Sequence, residues 1–352
     1  MGQVFQGCYT ALVTPMKGPG AGEVDYEALE RLVEFQVAGG VSGILAVGTT
    51  GESATLTHDE HSEVIVRIHQ FAAERCAVIA GTGSNCTAEC LETTRHAAEH
   101  GVKAVLLVEP YYNGPSSIEI RKEYIEPVAR QFPDVQVIPY VIPGRSGTQL
   151  LPEDLALLKR ACDNVNAVKE ASGDMSNIRR TRAYCGPDFD ILSGDDDNTL
   201  RMMSEPEIGA SGAVSVVSNV APGAVQRMTE CALEGDLEGG RRLASALQPL
   251  FDIVTVKTRE DSPWGGRLCK ARNPLPIKTL MRLLGMPVGG MRRPLGKMTP
   301  AGLDVVVGAA RKVWENNPEI LQPIAETFDV DVGVRLSRLE YRDALAYGKD
   351  TL

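Results

Sequence analysis

The sequence predicts an α/β protein built as a (β/α)8 TIM barrel with a helical C-terminal appendage. Short apolar runs recur about eight times along the chain. Each is followed by a longer stretch with helical spacing, and the pair repeats at roughly 30 residues, the size of one strand–helix unit. Such alternation implies parallel strands joined by helical crossovers. Eight units favour a closed barrel over a doubly wound open sheet.

The apolar runs fall at residues 9–13, 43–47, 77–80, 104–108, 135–141, 166–169, 189–192 and 213–217. Between them, Leu29, Leu32, Val33 and Gln36 mark one helical face, Val64, Ile65 and Ile68 a second, and Ile125, Val128 and Ala129 another. Thr57 with Glu60, and Ser116 with Glu119, have the spacing of capping boxes, in which hydroxyl and carboxylate each satisfy a free backbone N–H. Pro152 suits the first turn of a further helix. The barrel is expected to occupy residues 1–235. Residues 237–256, 276–284 and 300–314 read as helices of a C-terminal unit over 236–314. Residues 258–272 are polar, with two glycines, a proline and a tryptophan, and read as a loop; residues 315–352 form a mixed, charged tail.

Composition narrows the function. With 352 residues, 43% hydrophobic and 23% charged, the chain can bury a sizeable core. A net charge of -10 argues against nucleic acid or an anionic membrane as partner. No apolar run reaches the ~18–20 residues needed to cross a bilayer. Met1-Gly2-Gln3-Val4-Phe5 lacks a basic region followed by an apolar run, so no signal peptide is expected, and Gln6 fails the myristoylation pattern. The eight cysteines are scattered, with Cys86 and Cys90 completing no zinc pattern, and read as reduced thiols of a cytoplasmic protein. No metal motif surrounds the five histidines.

In such a barrel the reacting groups sit at the C-terminal ends of the strands. Several runs end there in residues a core does not choose: Gly48-Thr49-Thr50-Gly51-Glu52-Ser53, Pro110-Tyr111-Tyr112-Asn113, Tyr140 followed by Pro143-Gly144-Arg145, and Val168-Lys169-Glu170-Ala171-Ser172-Gly173. Lys169 is the most informative. A strand-end lysine usually sends its ammonium to solvent. One held in a buried strand loses its charge more easily, and the free amine attacks carbonyls. The Gly48–Gly51 turn offers hydroxyls and N–H groups to a carboxylate. Tyr140 suits proton relay if a second hydroxyl is within reach, and Arg145 suits bidentate carboxylate recognition.

Taken together, these segments resemble the dihydrodipicolinate synthase/N-acetylneuraminate lyase family of class I aldolases. Leu192-Ser193-Gly194-Asp195-Asp196 and Asn273-Pro274-Leu275-Pro276-Ile277-Lys278 agree as well, and the likeness runs from about Gly7 to about Trp314. The resemblance implies that Lys169 forms an imine with pyruvate, that the derived enamine attacks L-aspartate 4-semialdehyde, and that cyclisation gives 4-hydroxy-tetrahydrodipicolinate on the route to diaminopimelate and lysine. No metal or organic cofactor is then needed, because the lysine supplies the covalent chemistry. By the same resemblance, Tyr140 relays protons, with Thr50 linking it to Tyr112 of a neighbouring subunit. Thr49 and Thr50 bind the pyruvate carboxylate, the Val214 carbonyl lies near the keto acid, and Arg145 anchors the second substrate. The family also implies a homotetramer of tight dimers and a feedback site for L-lysine, matched here by Ser53, Ala54, His58, His61, Asn85, Glu89 and Tyr111.

Two rival readings stand beside this one. A sister pyruvate-dependent lyase or hydratase-aldolase would use another aldehyde; the Pro143-Gly144-Arg145 element disfavours it. A catalytically silent sensor of lysine or a keto acid would have lost the nucleophile or relay, yet Lys169, Tyr140, Thr50 and Tyr112 are all present. The chain departs from the family at Val141, where Asn is usual, at Glu109, which places an acid near the mouth, and in the 258–272 and 315–352 segments.

Overall fold

A computed structural model describes residues 4–18 and 22–348. The N-terminal reading of Met1, Gly2 and Gln3 lies outside the described residues. Eight parallel strands close into a barrel: β1 (Gly7–Ala11), β2 (Gly43–Ala46), β3 (Ala77–Gly81), β4 (Ala104–Val108), β5 (Gln136–Val141), β6 (Ala167–Glu170), β7 (Asp190–Ser193) and β8 (Gly212–Ser215). β8 returns to β1 with Gly7 opposite Gly212 and Tyr9 opposite Val214, which closes the ring. Each expected strand lies within two residues of an observed one. The crossover helices include Tyr26–Ala38, His58–Ala72, Thr87–Glu99, Pro152–Ala161, Met175–Cys185 and Pro222–Leu233. Both expected capping boxes are formed, and Pro152 opens its helix.

Strand side chains alternate between two environments. Tyr9, Leu45, Ile79, Leu106, Ile138, Tyr140, Ala167, Leu192 and Val214 point inward and fill the barrel. Val105, Val137, Val141, Val168 and Ile191 point outward and pack under the helices. This parity decides which residues reach the mouth. Lys169 shares the inward set with Ala167, whereas Val141 faces the outer core and cannot read a substrate.

One expectation is corrected. Residues 258–272 do not form a loop. They belong to an antiparallel hairpin of β9 (Thr255–Glu260) and β10 (Arg267–Arg272), paired from Thr255–Arg272 to Glu260–Arg267. The preceding helix accordingly ends at Phe251, and a 3-10 turn over Asp252–Val254 leads into β9. The alternation is real but weak: Val256 and Glu260 are buried and Thr258 half-buried, while Lys257 and Arg259 are exposed. With one valine on the covered face, hydrophobic periodicity carries little strand signal.

The segment beyond Asn316 folds back over the barrel. Helices Gln322–Phe328 and Val332–Ser337 join the same apolar core as the strands. Phe328 lies 5.4 Å from the Phe35 ring, and Arg335 donates to the Leu283 carbonyl at 2.7 Å.

Candidate active site

Tyr140 on β5 and Lys169 on β6 are directly paired in the sheet, and both side chains enter the barrel at its C-terminal end. Lys169 is 5% exposed, and its Nζ lies 4.1 Å from the centre of the Tyr140 ring. Burial pulls the ammonium down to about 7; Asp195 and Asp196 oppose that fall only in part. A substantial fraction of the amine is therefore uncharged near neutrality. Burial also raises Tyr140 above the ordinary phenol range, so it stays protonated and able to donate.

The loop after β7 shapes the space around this amine. Asp196 accepts hydrogen bonds from the Ser215 hydroxyl and from Val216 and Val217 N–H (2.9 and 3.2 Å), which locks the loop to β8. Asp195 is pushed up to about 6 by burial and by Asp197 and Asp196, while Lys169 draws it down. On β6, Glu170 faces away from Lys169 and accepts from Ser172 N–H at 2.8 Å; burial pushes it up to about 7. Gly194 packs against the lysine stem: a Cβ there would stand 2.8 Å from Ala171 Cβ and 3.1 Å from Lys169 Cε. Gly194→Ala is expected to push the amine from its line of attack and lower kcat/KM by about 10²-fold, as ångström-scale misplacement does. Steady-state kinetics on a variant with wild-type circular dichroism checks this.

The threonine turn sits opposite. Thr49 is the hydroxyl that reaches Tyr140. Thr50 is buried, and its hydroxyl accepts from Asn273 Nδ2 at 3.0 Å. Within the single chain, Thr49 is the hydroxyl beside the phenol, while Thr50 accepts from the residue after β10 and keeps its own O–H to donate. Glu52 leaves the turn in the left-handed region (φ 60°) and forms a fully buried ion pair with Lys278, whose Nζ also donates to the Thr14 carbonyl at 2.8 Å. The turn is thereby pinned to helix Leu275–Leu284.

Glu109 lies near the mouth, as expected, but is buried there. Its carboxylate is buried under the loop after β5, where Ile142 N–H (2.9 Å), Ser146 Oγ (2.8 Å) and Leu150 N–H (2.7 Å) all donate to it. Three converging donors make it the loop's anchor. The loop carries Arg145, whose Nη2 donates to the Asn273 carbonyl at 2.9 Å.

A cavity of about 890 Å³ opens above these groups. It is lined by Thr49 and Arg145, and also by Ser53, Ala54, His58, His61, Glu89 and Tyr111 of the second expected set. Asn85 stands behind them, its Oδ1 accepting from Tyr111 N–H at 2.8 Å. Glu89 accepts from Ser84 Oγ, and burial with neighbouring His58 lowers His61 to about 4, so its imidazole is neutral. Val214 lies in the barrel wall beside β1. Tyr112 is not brought into the cavity of its own chain. It is 94% exposed, in a positive-φ conformation (84°) rare for a bulky residue.

The sequence alone assigned no role to Gly194, Asp195, Asp196, Asn273 or the Glu52–Lys278 pair. The signals were three consecutive acids, Asp195, Asp196 and Asp197, separated by two residues from an apolar run, and a lysine in a mostly apolar helix.

Residues 4–310 match the dihydrodipicolinate synthetase family model. The chain belongs to that family. It is 40% identical over 297 residues to a 4-hydroxy-tetrahydrodipicolinate synthase of Aquifex aeolicus (strain VF5), covering 84% of this chain and 94% of the relative. Among solved structures, the lysine-bound dihydrodipicolinate synthase of Cyanidioschyzon merolae superposes with a TM-score of 0.80 at 36% identity, over 88% of this chain and 99% of that one. The chloride-inhibited enzyme of Acinetobacter baumannii, in complex with pyruvate, gives 0.79 at 32% identity, over 88% and 99%. For a dihydrodipicolinate synthetase family member, the (β/α)8 barrel with C-terminal helices is as expected. All eight cysteines are free. Among the described residues no helix is long and apolar enough to cross a membrane.

Proposed function

We propose that this chain is a 4-hydroxy-tetrahydrodipicolinate synthase that condenses pyruvate with L-aspartate 4-semialdehyde through an imine on Lys169. The observation that carries the reading is a buried amine, titrating near neutrality, set against a protonated phenol at the open end of the barrel. The neutral amine adds to the keto carbon of pyruvate, and loss of water leaves the imine. The imine withdraws electrons, a methyl proton departs, and the enamine carbon attacks the aldehyde. The new alkoxide takes a proton, the acceptor's amine closes the ring onto the former keto carbon, and Lys169 is released. Tyr140, with Thr49 beside it, has the place of the proton carrier. Thr49 and Thr50 hold the pyruvate carboxylate, the Val214 carbonyl flanks the keto acid, and Arg145 takes the acceptor's carboxylate. The lysine supplies the covalent chemistry, so the reaction runs without metal or organic cofactor.

The exposure of Tyr112 supports its service to a neighbouring copy; the homotetramer of tight dimers and the cytoplasmic location follow from the family alone. A coupled assay offering pyruvate with several aldehydes tests the substrate: turnover confined to L-aspartate 4-semialdehyde is expected, whereas preference for an uncharged or sugar aldehyde would favour a sister lyase.

L-Lysine is assigned to the part of the cavity lined by Ser53, Ala54, His58, His61, Glu89 and Tyr111, with Asn85 behind. Neutral His61 and the Glu89 carboxylate suit a cationic amino acid. Added L-lysine is expected to lower turnover, and Glu89→Gln to weaken that inhibition by roughly tenfold, the loss of one charge-assisted contact. A flat response to L-lysine in the wild type would remove this site.

A further inference from the structure

The hairpin β9–β10 brings two cations to the mouth of the cavity that the family resemblance does not account for. Lys270 and Arg272, at the end of β10, line it together with Arg145. Hairpin and loop clasp each other. Arg272 Nη1 donates to the Gly144 carbonyl at 3.1 Å, and Arg145 Nη2 donates to the Asn273 carbonyl at 2.9 Å. Each guanidinium thus gives one donor to backbone and keeps others for the cavity.

No acid stands within ion-pair distance of these three cations among the described residues, although Asp195 acts on Arg145 from farther away. Of the acids lining the cavity, Glu52 is neutralised by Lys278. Glu89 lies across the cavity on the Ser84 hydroxyl, and Asp195 lies below, nearer Lys169. Arg272, burial, Lys257 and Arg145 depress Lys270; burial is the main cause that depresses Arg145, with Arg272 adding to it and Tyr140 and Asp195 opposing it, so the hairpin cations do act on one another and on Arg145. Such crowding costs stability unless an anion relieves it, and a cleft lined by one sign of charge concentrates anions.

We propose that the β9–β10 hairpin is a specificity element of the acceptor subsite, in which Lys270 and Arg272 join Arg145 to bind the carboxylate of the incoming aldehyde. This rests on the aldolase reading above. Asn273, the residue after Arg272, meets both Thr50 and Arg145, but the two hairpin cations are joined to the Arg145 loop by backbone hydrogen bonds, so they are assigned with Arg145 to the second substrate. The acceptor class is a short aldehyde bearing a carboxylate, and a neutral aldehyde gains nothing from the hairpin.

The test is a Lys270→Met, Arg272→Met double variant of the full chain, assayed with L-aspartate 4-semialdehyde and with propanal. Borohydride reduction in pyruvate, read by mass, reports whether the first half-reaction survives. The expected result is a KM for aspartate semialdehyde raised by roughly tenfold or more, the loss of a charge-assisted contact. kcat, the half-saturating pyruvate concentration for trapping, and the rate with propanal should stay within about twofold, and the salt dependence of kcat/KM should flatten. A Lys270→Arg, Arg272→Lys variant should recover most of the KM. If the double variant traps pyruvate normally and its acceptor KM is unchanged, the hairpin assignment is overturned while the aldolase reading stands. If the wild type traps no pyruvate, both fall. If the variant unfolds, the charge-retaining variant decides: it should fold and keep KM within about threefold of the wild type, and a KM raised by roughly tenfold or more would overturn the proposal.

Discussion

Lys169→Ala is expected to lower turnover by about four to six orders of magnitude, the loss seen when a covalent nucleophile is removed. The fold should survive, because the substitution removes a buried amine that is costly to hold in an apolar barrel. Its thermal midpoint should match or exceed that of the wild type, which separates lost chemistry from lost structure. The same amine sets the pH profile. Its value falls from 10.5 to about 7 on folding, so the reactive neutral form grows as pH rises through about 7. Pyruvate trapping should climb across that range and level off above it. The linkage has a definite sign: between about 7 and 10.5 the unfolded chain binds the proton and the folded chain does not, so this group's contribution to stability rises with pH there. Lys169→Ala should flatten both dependences.

Lys278→Met is expected to cost about 3–5 kcal/mol of stability, the penalty for leaving one member of a buried ion pair unpaired. Both side chains of the pair are fully buried, and Glu52 would keep only the Arg292 N–H at 2.9 Å. A denaturant melt measures the loss. The pair also pins the threonine turn, so pyruvate affinity should weaken in the fraction that remains folded. Glu52→Gln with Lys278→Met removes both charges and should recover part of the stability, because two uncharged groups carry a smaller desolvation penalty than one stranded carboxylate.

The barrel was legible because parallel strands buried on both faces read as short apolar runs, and capping boxes mark helix starts locally. Lys169 was legible for the same reason: a charge after Ala167 and Val168 breaks an otherwise apolar run. The hairpin was not, since its covered face holds little more than Val256 and its partner strand is largely solvent-facing. The role of Glu109 was hidden too. Its position after β4 suggested an acid at the mouth, but its three donors come from residues 33 to 41 positions later, a closure that only the folded loop reveals. Gly194 carried no role in the sequence; its contact with Lys169 Cε depends on the packing of β6 beside β7. Long-range pairings of this kind leave no local pattern, and they account for most of what the sequence alone did not assign around the amine.

The most direct measurement is borohydride reduction of the full chain in the presence of pyruvate, followed by peptide mass analysis. One reduced pyruvyl adduct per chain is expected, located on Lys169, absent from Lys169→Ala and increasing as pH rises through about 7. Absence of an adduct on the wild-type peptide, or its appearance on a different lysine, would contradict the proposed chemistry.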